Sequence, residues 1–190
     1  MATLDVLKND LSENTNLRDD LARVTKDPNA IAGLFPAARR RYGQEPLADG
    51  WTTDEAARAL LLAAAPAEQI GEVYRYGDTA EKLAVLKALP LLPIGDAGVP
   101  LLEDALRTND TRLVAAALGP YSDHLAQDTW RQAVLKCVFM GVPLKGVHRL
   151  AERADPELGA MLRAFALERH AAGRDMPPDA HALLDQLKEA

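Results

Sequence analysis

The chain of 190 residues has one cysteine, Cys137. A single thiol excludes an intrachain disulfide and fits a reducing compartment. Aromatic residues reach only 5%, and strand formers are thinly spread among abundant Ala and Leu, which favours helix over sheet. No apolar run approaches the roughly 20 residues that span a bilayer, so direct membrane insertion is not expected. The opening Met1-Ala2-Thr3-Leu4-Asp5 lacks a positive region followed by an apolar stretch. No secretory signal is visible, and a cytoplasmic location is expected. Positive charge is in deficit, with 22 Lys and Arg against 28 Asp and Glu and a net charge of −6. A non-specific nucleic-acid binder would be basic, so nucleic acid is not an expected partner.

Reactive motifs are also missing. The two serines, Ser12 and Ser122, stand outside any Gly-x-Ser-x-Gly elbow. There is no Gly-x-Gly-x-x-Gly and no Gly-x-x-x-x-Gly-Lys. The histidines are His124, His148, His170 and His181. No two are three or four apart, so none chelates a metal from one helix face. Each reads as a surface or satisfied residue. Cys137 has apolar neighbours and reads as a buried, inert thiol. No catalytic residue, metal ligand or cofactor is therefore assigned, and an enzyme is not expected.

What is present is helix, punctuated by strong start signals. Residues 3–25 are helical, as one helix or as two broken at Ser12–Asn16, where Ser, Asn and Thr side chains compete for backbone groups. Asp27-Pro28 starts a helix that stops at Gly43. Thr52-Thr53-Asp54-Glu55 and Asp78-Thr79-Ala80-Glu81 are capping boxes. Pro143 opens a helix to about Ala154, and Asp155-Pro156-Glu157 starts the next. The pairs Asp78-Thr79 and Asp110-Thr111 lie 110 − 78 = 32 residues apart, and Asp128-Thr129 reads as a third copy. Helix starts repeated at that spacing mark stacked helical hairpins. The expected fold is all-α: a short α-solenoid of HEAT-like antiparallel helix pairs, about ten helices in one domain. Residues 1–25 form an N-terminal segment and 26–190 the repeat domain.

Asp78, Asp110 and Asp128 read as helix N-caps and not as a catalytic trio. The residues flanking them carry the functional expectation. Arg75 and Tyr76 precede the first start, Arg107 and Asn109 the second; Arg112 follows Asp110, and Trp130-Arg131 follow the third. Corresponding positions of successive repeats line one edge. These eight residues, with Asp110 among them, are expected to form a ligand or partner groove. Guanidinium groups beside Tyr and Trp suit a phosphate, a carboxylate or an acidic segment. The alternative is that each arginine bridges to a cap aspartate.

Four stretches carry a family resemblance: Trp51-Thr52-Thr53-Asp54-Glu55-Ala56-Ala57-Arg58; Tyr74-Arg75-Tyr76-Gly77-Asp78 through Glu81-Lys82; Arg107-Thr108-Asn109-Asp110-Thr111-Arg112-Leu113-Val114; and Trp130-Arg131-Gln132 with Leu135 through Leu144. Together they resemble the EboA family of bacteria, over roughly residues 30–175. The resemblance implies a role in small-molecule biosynthesis or precursor export, in a secondary-metabolite gene cluster. It supplies no catalytic residues. The expected function is a non-enzymatic helical-repeat adaptor or binding protein, its partner a protein from the same gene cluster. The alternative is a binder or enzyme for an anionic sugar-like or cyclitol intermediate held in the arginine groove.

Overall fold

The structure, a computed structural model, describes residues 2–189, with side chains to residue 187. The ends of the two expected spans, Met1 and Ala190, lie outside the described residues. Among those residues there are twelve α-helices and no strand, against about ten helices expected. Close contacts divide the chain into two units, Met1–Leu101 and Leu102–Ala190.

The first unit is organised around one alanine-rich helix. Residues 3–25 form two helices, α1 (Leu4–Asp10) and α2 (Thr15–Lys26), with the Asn14 side chain accepting from the Leu17 N–H at the second start. After a 3₁₀ turn at Pro28–Ala30 comes α3 (Ile31–Tyr42), which ends at Gly43 with φ 83°. Glycine enters that left-handed region without a Cβ clash. Then follow α4 (Thr53–Ala63), α5 (Ala67–Tyr76) and α6 (Thr79–Ala88). Helix α4 is buried along nearly its whole length, from Ala56 and Ala57 to Leu61 and Leu62. A helix apolar on all sides belongs in the middle of a bundle, and its small side chains let neighbours approach closely. Accordingly α4 packs against α1, α2, α3 and α6, while α5 packs against α3 and α6.

Charge enters this core in two places. Asp54 and Arg58, both buried, pair at 2.7 Å one turn apart on α4. The Arg58 Nε also donates to the Phe35 carbonyl at 3.1 Å, and its guanidinium lies 5.4 Å from the Phe35 ring centre. The Thr52 hydroxyl donates to the other Asp54 oxygen at 2.6 Å. Asp20, buried on α2, accepts from Arg41 and from the Tyr42 hydroxyl at 2.6 Å. Burial, reinforced by the bond to Asp20, pushes the Tyr42 phenol up to about 12. Both networks tie α3 to its neighbours with charge-assisted bonds that are costly to break once desolvated.

Helix α7 (Val99–Arg107) runs across the division. The second unit continues with α8 (Thr111–Ala117), a 3₁₀ segment Pro120–His124, α9 (Gln127–Met140), α10 (Leu150–Arg153), α11 (Pro156–Ala171) and α12 (Pro178–Glu189). Helix α9 packs on α8 and α11, and α11 packs on α12. Trp130, Val134 and Cys137 give α9 a fully buried face. Gly141 ends the helix at φ 73°, and the Val142 N–H donates to the Cys137 carbonyl at 2.9 Å, closing a Schellman motif.

Two expected features differ. The third start is not a copy of the others: α9 begins at Gln127, its cap position is Ala126, and Asp128 sits exposed in the first turn without capping. The entry is set instead by Gln127, whose amide donates to the Arg153 carbonyl and to Asp155. The helix expected from Pro143 to Ala154 is broken. A 3₁₀ turn at Leu144–Gly146 is followed by extended Val147, and Arg149 takes φ 51° before the short α10. The cause is tertiary, since the His148 N–H turns away to the Leu118 carbonyl at 2.9 Å.

Candidate functional site

The eight residues flanking the repeated starts fall in both units, Arg75 and Tyr76 in the first and the other six in the second. Arg75, near the end of α5, pairs with Glu72 one turn earlier at 2.9 Å. Tyr76 is 79% exposed. It borders a cleft of about 300 Å³ with Asn29, Pro36, Glu72, Gly77 and Glu81. A Cβ on Gly77 would come within 2.8 Å of the Val73 carbonyl oxygen, so only glycine lets the chain turn this tightly from α5 toward α6. Asp78 then caps α6, accepting from the Glu81 N–H at 2.8 Å while Glu81 accepts from the Asp78 N–H at 3.0 Å.

In the second unit, Asp110 caps α8 and also holds Arg112, accepting from its backbone N–H at 2.9 Å and from its Nη2 at 2.7 Å. The Arg112 guanidinium draws the Asp110 carboxyl down to about 2. Arg131 makes a two-pronged contact with Asp155, its Nη2 at 2.6 Å from Oδ2. Asp155 is itself the cap of α11, accepting from the Leu158 N–H at 3.0 Å. Arg131 therefore holds this carboxyl well below the usual carboxylate range. Trp130 is buried, with the Arg153 guanidinium 4.7 Å from its ring centre. Arg153 also donates to the carbonyls of Ser122 and Leu125, which fixes the 3₁₀ segment beside α9. Asn109 is exposed in the turn before α8. Arg107 donates to its own helix, at the Glu103 carbonyl.

Arg107 and Lys136 share a cleft of about 410 Å³ between α7 and α9. The Lys136 ammonium is occupied there, donating to the Leu106 and Thr108 carbonyls at 2.6 and 2.8 Å and closing the C-terminus of α7. Cys137 on the same helix is fully buried, and burial pushes its thiol up to about 11, against the opposing pull of Lys136. It is protonated and inert at neutral pH.

A third cleft, of about 440 Å³, lies between α11 and α12. Arg163 and His170 on α11, Arg174 just beyond it and His181 on α12 all border it. Ala166, Leu167, Met176 and Leu184 give it apolar walls. Neither Arg163 nor Arg174 has an ion-pair or side-chain hydrogen-bond partner among the described residues. Sequence reasoning passed over this site. Part of its signal was available: positions 163, 166, 167 and 170 repeat at the helical spacing of three and four, which sets Arg163 and His170 on one face around Leu167.

Among the described residues, no group of three His, Cys, Asp or Glu side chains is placed to hold a metal ion. None of their helices is long and apolar enough to cross a membrane. No curated protein and no solved structure matches the chain. The EboA family, described as metabolite traffic protein EboA, matches residues 34–185. That span takes in α4, both capped starts and the α11–α12 cleft, and the chain belongs to the EboA family.

Proposed function

We propose that the protein binds a small anionic metabolite and hands it on without transforming it. The observation that carries this reading is the α11–α12 cleft, where Arg163 and Arg174 face a common cavity without carboxylate partners among the described residues. An unpaired guanidinium is a strong anion donor, and a chain with net charge −6 that leaves two of them beside one cavity has anion binding as a use for them. The family description, metabolite traffic, agrees with binding and release. The side chains around the cleft bind and orient, and the thiol of the second unit is kept protonated in the core. The test is native mass spectrometry of the full chain purified from its source cells. A small anion that co-purifies, exchanges freely and is released chemically unchanged supports the reading. Recovery of a product different from the molecule loaded contradicts it.

A second reading is favoured by the exposed aromatic Tyr76 at 79% and Phe139 at 70%. Here the chain is an adaptor that docks a protein encoded in the same secondary-metabolite gene cluster, in the cytoplasm. On this reading α5–α6 in the first unit and α8–α9 in the second are each a HEAT-like antiparallel helix pair. Arg75 and Tyr76 would present the partner-facing residues of the first unit and Arg107, Asn109 and Arg112 those of the second, where Asp110 holds Arg112 and Trp130 and Arg131 belong to α9. Crosslinking in source cells tests it: a partner captured from Tyr76 but not from a site on α11 would favour docking over ligand carriage.

A further inference from the structure

The α11–α12 cleft has two kinds of lining, and their combination specifies a ligand more narrowly than charge alone. Its polar lining is Arg163 and Arg174, the imidazoles of His170 and His181, and the Asp175 carboxylate, among the described residues. Apolar residues are interleaved with these on both helices, Ala166 and Leu167 on α11 and Leu184 on α12. Met176 and Leu184 are buried, and Leu167 stands 72% exposed at the rim. Covering a leucine exposed to that degree, one turn from both Arg163 and His170, would add the burial of its apolar surface to the affinity of a ligand held by the arginines. A sugar phosphate or inorganic anion would satisfy the guanidinium groups and leave this apolar surface wet. A neutral hydrocarbon would cover the surface and desolvate the cations without a partner.

We infer that the α11–α12 cleft takes an amphiphilic anion, a phosphate or carboxylate head joined to an apolar body. The head lies between Arg163 and Arg174, and the body covers Leu167 beside Ala166, above the buried Met176 and Leu184. This rests on the anion-binding reading above and adds the apolar half of the ligand. A volume of about 440 Å³ sits within the range of roughly 300–1,000 Å³ typical of small-molecule sites. Release needs no large opening, because the leucine rim and both arginines are already exposed.

The experiment is calorimetric titration of the full chain with decyl phosphate below its micelle concentration, beside decanol and inorganic phosphate. Decyl phosphate is expected to bind at least ten-fold more tightly than either half-ligand. Arg163→Gln with Arg174→Gln should lower that affinity at least ten-fold, and Leu167→Gln about three- to ten-fold. All three positions are exposed, so the melting temperature should stay within about 1 °C. Equal affinity for inorganic phosphate and decyl phosphate, both lost in the arginine variant, overturns the amphiphile and leaves the anion reading standing. Binding of decyl phosphate that the arginine variant leaves unchanged overturns both. Binding to anionic vesicles with none to monomeric decyl phosphate also overturns the inference, since it would make the cleft a membrane-facing surface.

Discussion

The two units differ in what some of their arginines face. In the first, Arg58 is drawn into the core, paired with Asp54 and bonded to the Phe35 carbonyl. Arg41 closes on Asp20 through Nε and Nη2, joining α3 to α2. In the second, Arg131 and Arg153 are likewise spent on structure, but Arg163 and Arg174 are left facing a cavity. A guanidinium already neutralised by a carboxylate attracts a ligand anion less than an unpaired one. The contrast assigns α4 to stability and the α11–α12 cleft to binding.

The largest effect that would break this contrast is at Arg58. Arg58→Ala leaves Asp54 buried without its partner and is expected to cost about 3–5 kcal/mol. The urea midpoint reads this, and replacing both residues together, Asp54→Leu with Arg58→Met, should recover part of the loss. Arg153→Leu comes next. It removes charge-assisted bonds to the Ser122 and Leu125 carbonyls, and a loss of about 2–3 kcal/mol is expected from the same measurement.

A pH titration of unfolding probes the Arg131–Asp155 pair. The folded pKa of Asp155 is depressed by Arg131, so its contribution is fully present above the unfolded carboxylate value of about 3.9. It is lost as pH falls below that value, through the folded pKa. Arg131→Gln should therefore flatten the acid limb of the stability profile while changing its slope little between pH 6 and 8. The smallest expected effects separate a true cap from an apparent one. Asp78→Ala should cost about 1 kcal/mol, because Asp78 accepts from the Glu81 N–H. Asp128→Ala, where no cap bond is made, should stay within about 0.5 kcal/mol.

What was legible in the sequence was local. The starts at Asp78, Asp110 and Asp155 each depend on a bond spanning two or three residues, and residue type at fixed spacing reveals them. The absence of strand among the described residues follows from composition and periodicity in the same way. What failed was decided by distant groups. Asp128 lost its cap role because Gln127 reaches across 28 residues to Asp155, and the helix after Pro143 broke where His148 bonds Leu118. Asp54 read only as part of the Thr52–Glu55 capping box, and the sequence did not reveal its ion pair with Arg58. Its burial comes from packing by four other helices, which no single stretch records. For the cleft, the Arg163 and His170 face of α11 was visible as a pattern, while the wall that α12 builds opposite it was not.

The central claim is that Arg163 and Arg174 are placed for a ligand and contribute nothing to the fold. Thermal unfolding of the wild type and the Arg163→Gln, Arg174→Gln variant, each with and without decyl phosphate, tests it most directly. The account predicts equal melting temperatures for the two free proteins and a ligand-induced rise in the wild type alone. A variant that melts well below the wild type without ligand, or that keeps the full rise with it, would contradict the account.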